Sequence, residues 1–326
     1  MPITRSAPEP ARVALATSSK VSSLTDDDRL LVSALAAHGV HAEPAVWTDV
    51  DRDWRCYSAV VIRSTWDYHL NHVAFLAWLD RLESAGVHVF NPPSLVRWNA
   101  EKSYLRELAD RGIATVPTRW VECREEISLP AILHETGWDD VVIKPSVSAS
   151  AHQTWRVSLH DTSSSDAQFR AMVTNGRVMV QPFLRAIQDD GEWSLLFYGG
   201  EYSHAVIKRP TRNDFRVQKE HGGSSEAAEP STDVIMDARR VLEAAQQGRD
   251  ASLYARVDGC VVDGRFVLME LELIEPDLFL RAHVEAPERL ASALLGAIHR
   301  IGSDGTRVHP LHAHDNPRSG APALDL

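Results

Sequence analysis

From residue 11 onward, short apolar runs alternate with stretches of helical periodicity. Arg12-Val-Ala-Leu-Ala-Thr reads as a buried strand, Asp26 to His38 as a helix ended by Gly39, and Val40 to Trp47 as a second strand. Ser58-Ala-Val-Val-Ile gives a third strand. The loop Arg63-Ser-Thr-Trp-Asp-Tyr then leads into a helix near Asn71–Ala85, and Gly86-Val-His-Val-Phe resumes as a strand. Alternating units of this length predict an open, mainly parallel sheet over residues 11–95. Such sheets bind ligands beyond the carboxyl ends of their strands, which puts Thr17–Ser23 and Arg63–Tyr68 near a cleft.

The pattern changes after the break at Asn91-Pro-Pro-Ser. A helix is expected from Ala100 to Arg111, closed by Gly112. Val141-Val-Ile-Lys-Pro-Ser is a strand entering a loop of small residues, Val147–Ala151, and Thr154–Ser158 returns from it. A helix over 165–175 precedes the strand Val178-Met-Val-Gln-Pro-Phe, which leaves its sheet at Pro182. Glu192–Phe197, Glu201–Lys208 and Tyr254–Glu275 read as antiparallel strands, with helices at Asp233–Gln247 and 286–301. The fold class is therefore α/β followed by α+β. Its expected divisions are a tail at 1–10, an N-terminal α/β domain at 11–95, subdomains at 96–185 and 186–302, and a polar tail at 303–326.

Composition narrows the partners. The chain of 326 residues carries a net charge of −11 with no basic block, which argues against nucleic acid. No run of eighteen apolar residues is present, and Met1–Pro10 lacks the apolar core of a signal peptide. Cys56, Cys123 and Cys260 are isolated and read as reduced thiols of a cytoplasmic protein. The oligomeric state stays open, a homo-oligomer included.

Chemistry concentrates in Tyr254-Ala-Arg-Val-Asp-Gly and Phe266-Val-Leu-Met-Glu-Leu-Glu-Leu-Ile-Glu-Pro-Asp, which meet at Asp263-Gly264. Carboxylates in apolar strands are costly to bury without a cation. Glu270 and Glu272 are two apart and share a strand face, and with Asp258 they would form a hard-oxygen site suited to Mg²⁺. A strict two-residue turn would put Asp258 on the opposite face. Convergence therefore predicts a three-residue loop with Gly264 left-handed, or an equivalent bulge. Lys102 on its helix and Lys144 at a strand end could supply charge to nucleotide phosphates. Taken alone, Lys102 reads first as a solvated helix lysine.

From Asn91 to about Ala282 the order of these features resembles the ATP-grasp ligases, the superfamily of glutathione synthetase and D-alanine–D-alanine ligase. The motifs are Asn99-Ala-Glu-Lys102, Gly112-Ile-Ala-Thr-Val-Pro117, Val142-Ile-Lys144-Pro, Val180-Gln181-Pro-Phe, Gly191-Glu192, Lys208, Arg256-Val-Asp258 and Glu270-Leu-Glu272. The resemblance implies that Lys102 and Lys144 hold phosphates under a loop bearing Ser146 and Ser148, which here lacks the family's glycines. It implies an adenine hinge at Gln181, Pro182, Phe183 and Leu184, and a nucleotide-facing Glu192. Asp258, Glu270 and Glu272 become the metal ligands. The family's usual Asn is Glu272 here, and its extra charge favours two Mg²⁺ ions. Lys208 and Arg256 become the catalytic cations.

What the resemblance implies for the reaction is ATP-dependent activation of a small amino-acid carboxylate as an acyl phosphate, followed by attack of nitrogen. Arg63-Ser-Thr-Trp-Asp-Tyr and the distal segment resemble the subgroup that closes the ring of D-cycloserine from O-ureido-D-serine. In that reading Arg63, Thr65, Trp66 and Asp67 line the substrate site, with Asp67 on the ammonium. A loop carrying Arg216, Gly222, Gly223 and Ser224 closes over it. An intermolecular carboxylate–amine ligase is the alternative, and a silent nucleotide-binding regulator is the alternative outside enzymes.

Overall fold

The computed structural model describes residues 11–148, 151–212, 214–218 and 221–304. It opens with β1 (Arg12–Thr17), α1 (Asp26–Ala37), β2 (His41–Val46), β3 (Ala59–Ser64), α2 (His72–Ser84) and β4 (Val89–Phe90). These strands form a parallel sheet in the order β2-β1-β3-β4. The apolar runs of β1 and β3 are continuous because both faces are covered. Val13, Leu15 and Val61 enter one core, while Ala14, Ala16, Val60 and Ile62 enter another with Phe75 and Trp78 of α2. Thr25 caps α1 by accepting the Asp28 amide at 3.0 Å.

The helix expected from Ala100 begins later, as α4 (Tyr104–Asp110), and is preceded by a separate helix, α3 (Pro93–Asn99), where the sequence reads as a break. Pro93 sits in the first turn of α3, where a missing N–H costs nothing. Lys102 therefore lies in the turn between helices, its amide bonded to the Ser146 carbonyl at 2.8 Å. Then follow β5 (Arg119–Val121), α5 (Leu129–Thr136), β6 (Asp140–Pro145), β7 (Trp155–Ser158), α6 (Thr162–Asn175) and β8 (Val178–Pro182). They make an antiparallel sheet, β5-β8-β6-β7, sharing a core with α5 and α6.

The third sheet is built from β9 (Glu192–Tyr198), which follows the short α7 (Ala186–Asp189), and from β10 (Glu201–Arg209) and β11 (Ser224–Ala227). After α8 (Thr232–Gln246) it is completed by β12 (Tyr254–Val262) and β13 (Arg265–Glu272). Its order is β11-β10-β9-β12-β13, all antiparallel. The strand β11 takes the end of what reads in sequence as a loop. The last helix, α9 (Ala286–Asp304), returns to pack on α1.

Two buried asparagines bind the parallel sheet and α3 to this third sheet. Asn91 donates to the Tyr254 and Leu273 carbonyls (2.9 and 2.7 Å) and accepts the Leu253 amide at 2.6 Å. Asn99 donates to the Leu271 carbonyl at 2.8 Å and accepts the Leu273 amide at 2.9 Å. Buried amides satisfied on both sides fix relative position as apolar contact cannot.

Candidate active site

A cavity of about 580 Å³ opens where the three sheets meet. The ends of α1 and β3 supply Asp28 and Arg63, with Trp66 and Tyr68 beyond; the second sheet supplies Val142, Lys144 and Gln181; the third supplies Glu192, Lys208, Arg256, Asp258, Glu270 and Glu272.

The β12–β13 hairpin settles its own register. Asp263 and Gly264 have φ of 50° and 77°, and Val262 pairs with Arg265, so the turn has two residues rather than three. Parity is changed further in: Gly259 pairs with Leu268 but Asp258 pairs with Glu270, leaving Met269 as a bulge. Asp258 thus reaches the face of Glu270, and Arg256 that of Glu272. Gly259 permits this crowding, since a Cβ there would stand 2.4 Å from the Val267 carbonyl oxygen.

On this face charges interlock. Arg256 binds Asp258 through Nε (3.0 Å) and Nη2 (2.9 Å) and also meets Glu272. Lys208 contacts Glu192 at 2.5 Å and Asp258 at 3.3 Å, and the Ser194 hydroxyl donates to Asp258 at 2.5 Å. Lys102 bonds Glu270 at 2.9 Å and the Ser148 carbonyl at 2.7 Å. Burial opposes ionisation of Asp258, yet Arg256 and Lys208 outweigh it and hold its pKa down to about 2. Burial also works against the charge of Lys208, but Asp258 and Glu192 hold it above its ordinary value. Glu272 goes the other way: burial, reinforced by Asp258 and Glu270, pushes it up to about 7 despite Arg256. Burial pushes Glu275 well above the carboxylate range, with Glu272 adding to it. Lys144 is lowered by burial and has no ion pair among the described residues.

Several expected residues come together. Arg63, Trp66, Lys102, Lys144, Ser148, Gln181, Pro182, Phe183, Leu184, Glu192, Lys208, Arg216, Gly223, Ser224, Arg256, Asp258, Glu270 and Glu272 all line the cavity. Others do not. Asp67 accepts the Trp47 indole N–H at 2.8 Å and lies outside the lining, so it cannot take a substrate ammonium there. Thr65 is fully buried and Ser146 donates to Glu101 at 3.0 Å, both away from the cavity, as is Gly222. Residues 149 and 150 of the phosphate loop and 213, 219 and 220 of the closing loop lie outside the described residues. In the hinge, the Phe183 amide already donates to the Asp140 carbonyl (2.8 Å), and the Gln181 side chain donates to Thr118.

Sequence reasoning passed over Ser194, Asp28, Tyr104 and Glu275. Ser194 sits two residues after Glu192 in an apolar strand, a same-face signal. Asp28 binds the Arg63 guanidinium at 2.9 Å through a contact across 35 positions that no local pattern reveals. The Tyr104 hydroxyl accepts the Leu271 amide at 3.0 Å, bracing β13.

The donor set fits Mg²⁺ in chemistry: three carboxylates on one face, with Glu272 pushed up to about 7 by burial and by its neighbours Asp258 and Glu270. Among the described residues no three His, Cys, Asp or Glu side chains are gathered as a preformed metal cluster, because each carboxylate is turned to a lysine or arginine. The cavity also fits a nucleotide, with apolar lining from Val142, Phe183, Leu184, Ile187 and Met269 and the ammonium of Lys144, which has no ion pair among the described residues.

Fold and site define the class: an ATP-dependent carbon–nitrogen ligase of the ATP-grasp type, with mixed sheets and the site between them. Residues 13–91 match the model of the N-terminal domain of the D-cycloserine synthetase DcsG. The chain is 29% identical over 282 residues to the cycloserine biosynthesis protein DcsG of Streptomyces lavendulae, covering 81% of this chain and 91% of that one. A glutathione synthetase of Ralstonia nicotianae is 25% identical over 57% of this chain and 59% of its own. The crystal structure of D-cycloserine synthetase DcsG superposes with a TM-score of 0.79 at 28% identity, covering 88% of this chain and all of that one. D-alanine–D-alanine ligase from Bacillus anthracis gives 0.65 at 14% identity over 90% of this chain and 99% of its own, a likeness of fold alone. No described helix is long and apolar enough to cross a membrane.

Proposed function

We propose that the protein closes a ring within one small amino acid, using ATP to activate the carboxyl group and the substrate's own nitrogen to attack it. O-ureido-D-serine closing to D-cycloserine is the reaction this reading favours: the nitrogen bonds the activated carboxyl carbon as phosphate leaves, and water cleaves the carbamoyl group from that nitrogen as carbon dioxide and ammonia, with ADP and phosphate released. The observation that carries it is the likeness to DcsG along most of the chain, combined with a single continuous cavity shared by Lys144 and Arg63. Intramolecular attack needs no second amine pocket and gains from held geometry.

In this reading Lys102 and Lys144 bind the phosphates, and Gln181–Leu184 with Val142 hold the adenine. Asp258, Glu270 and Glu272 hold Mg²⁺, two ions being favoured by the third carboxylate. Bound Mg²⁺ supplies Lewis-acid charge to the phosphoryl oxygens. Lys208 and Arg256, kept charged by their carboxylates, stabilise the negative charge that develops during carboxyl activation. Arg63 has its Nη1 buried with no hydrogen-bond partner among the described residues, while Nε binds Asp28 and Nη2 the Pro276 carbonyl at 3.0 Å. That free donor suits a substrate oxygen. Arg216, Gly223 and Ser224 line the same cavity.

The test is ADP release with O-ureido-D-serine and Mg²⁺ as sole substrates, with product mass determined. Stoichiometric ADP and a product lighter than the substrate by the elements of carbamic acid, lost as carbon dioxide and ammonia, are expected. ADP formation only when a separate amine is added would replace this reading with the intermolecular one.

A further inference from the structure

The cavity holds a conspicuous imbalance. Its other carboxylates each face an arginine or a lysine within ion-pair distance. Glu275 has no such partner among the described residues, although it lines the cavity and is only 8% exposed. Lys102, which acts on Glu275 only through space, is committed to Glu270 and to the Ser148 carbonyl.

Its position is not accidental slack in a loop. The Trp66 indole N–H donates to the Glu275 carbonyl at 3.0 Å, and Arg63 donates to the carbonyl of Pro276. On the other side, the Tyr254 hydroxyl donates to the Ile274 carbonyl at 2.8 Å. Three consecutive carbonyls are thus gripped, and the carboxylate between them is held at the parallel-sheet end of the cavity. A buried carboxylate kept without a cation is expensive. A fixed acceptor in a cavity is an arrangement that a cationic ligand completes.

We propose that Glu275 binds the α-ammonium group of the substrate and so selects α-amino acids over uncharged analogues. It takes the part that Asp67, turned to Trp47, does not. For its substrate class this inference rests on the ligase reading above.

The experiment pairs substrate and protein changes. ADP release is measured for wild type and Glu275→Gln with a panel of small α-amino acids, O-ureido-D-serine included, and with their 2-hydroxy analogues. Losing one charge-assisted bond costs about 10–100-fold. Wild type should therefore prefer the amino compound by that factor in kcat/KM, expressed mostly in KM. In Glu275→Gln the preference should collapse towards one, with nucleotide affinity, measured by titration of ATP, unchanged. A purely structural role would lower both compounds together and leave their ratio intact, and that result overturns the proposal. If wild type releases no ADP with any compound, the ligase reading fails separately. Calorimetry of the same panel then decides: ammonium compounds bound by wild type and lost in Glu275→Gln sustain the proposal, and no binding by wild type refutes it.

Discussion

Adding one methyl group at Gly259 should damage the site more than the fold. An alanine Cβ there would lie 2.4 Å from the Val267 carbonyl oxygen and 2.5 Å from Cζ of the buried Phe266. The ring could shift, but the carbonyl belongs to β13 and cannot without disturbing the ladder. If the bulge persists, overpacking costs ~1–3 kcal/mol. For a chain of this size that lowers Tm by roughly 5 °C. If the hairpin instead relieves the clash by losing its bulge, every residue before it changes face. Arg256 and Asp258 then leave Glu270 and Lys208, a displacement worth on the order of 100-fold in rate. The assay is calorimetric Tm together with ADP release at a temperature where both proteins are folded. Gly264→Ala is the control. Its φ of 77° is unfavourable for alanine but nothing lies within 4 Å of the new Cβ, so it should cost about 1–2 kcal/mol and leave turnover near wild type. A Gly259→Ala protein with wild-type Tm and rate would refute the reasoning about the bulge.

Lys144→Met should weaken ATP binding by about 10-fold or more while leaving stability equal or higher, because it removes a half-buried charge that has no ion pair among the described residues; ATP titration and urea unfolding check both halves. His204 gives a pH dependence of its own. It is buried, with its ring nitrogens 3.0 Å from Ser203 Oγ and 3.1 Å from the Phe279 carbonyl, and burial lowers its pKa to about 4. An unfolded histidine takes its proton near pH ~6.5, so its contribution is complete above that pH and is lost as pH falls towards 4, by about 3 kcal/mol. Urea midpoints at pH 7 and 4.5 should fall further for wild type than for His204→Gln, and equal falls would remove His204 as the cause.

Much of this protein is legible along the chain. Continuous apolar runs specify β1 and β3 as strands covered on both faces, and helix caps such as Thr25 mark where α1 starts. The same-face spacing of Glu270 with Glu272 and of Arg256 with Asp258 is a property of any strand. These are local effects, governed by neighbours within a few residues. Pro93 was harder, since Asn91-Pro-Pro-Ser reads as a break but its second proline opens α3.

What tertiary structure decided is which charges meet. The bulge at Met269, and not the turn, brings Asp258 to Glu270, because Gly259 leaves room for the Val267 carbonyl. Asp67 belongs to Trp47, and Arg63 to Asp28, through contacts spanning 20 and 35 positions. Residue type alone cannot tell a paired carboxylate from an unpaired one. Pairing depends on burial and on distances of a few ångströms set by packing between sheets, and it is this that leaves Glu275 without a cation among the described residues.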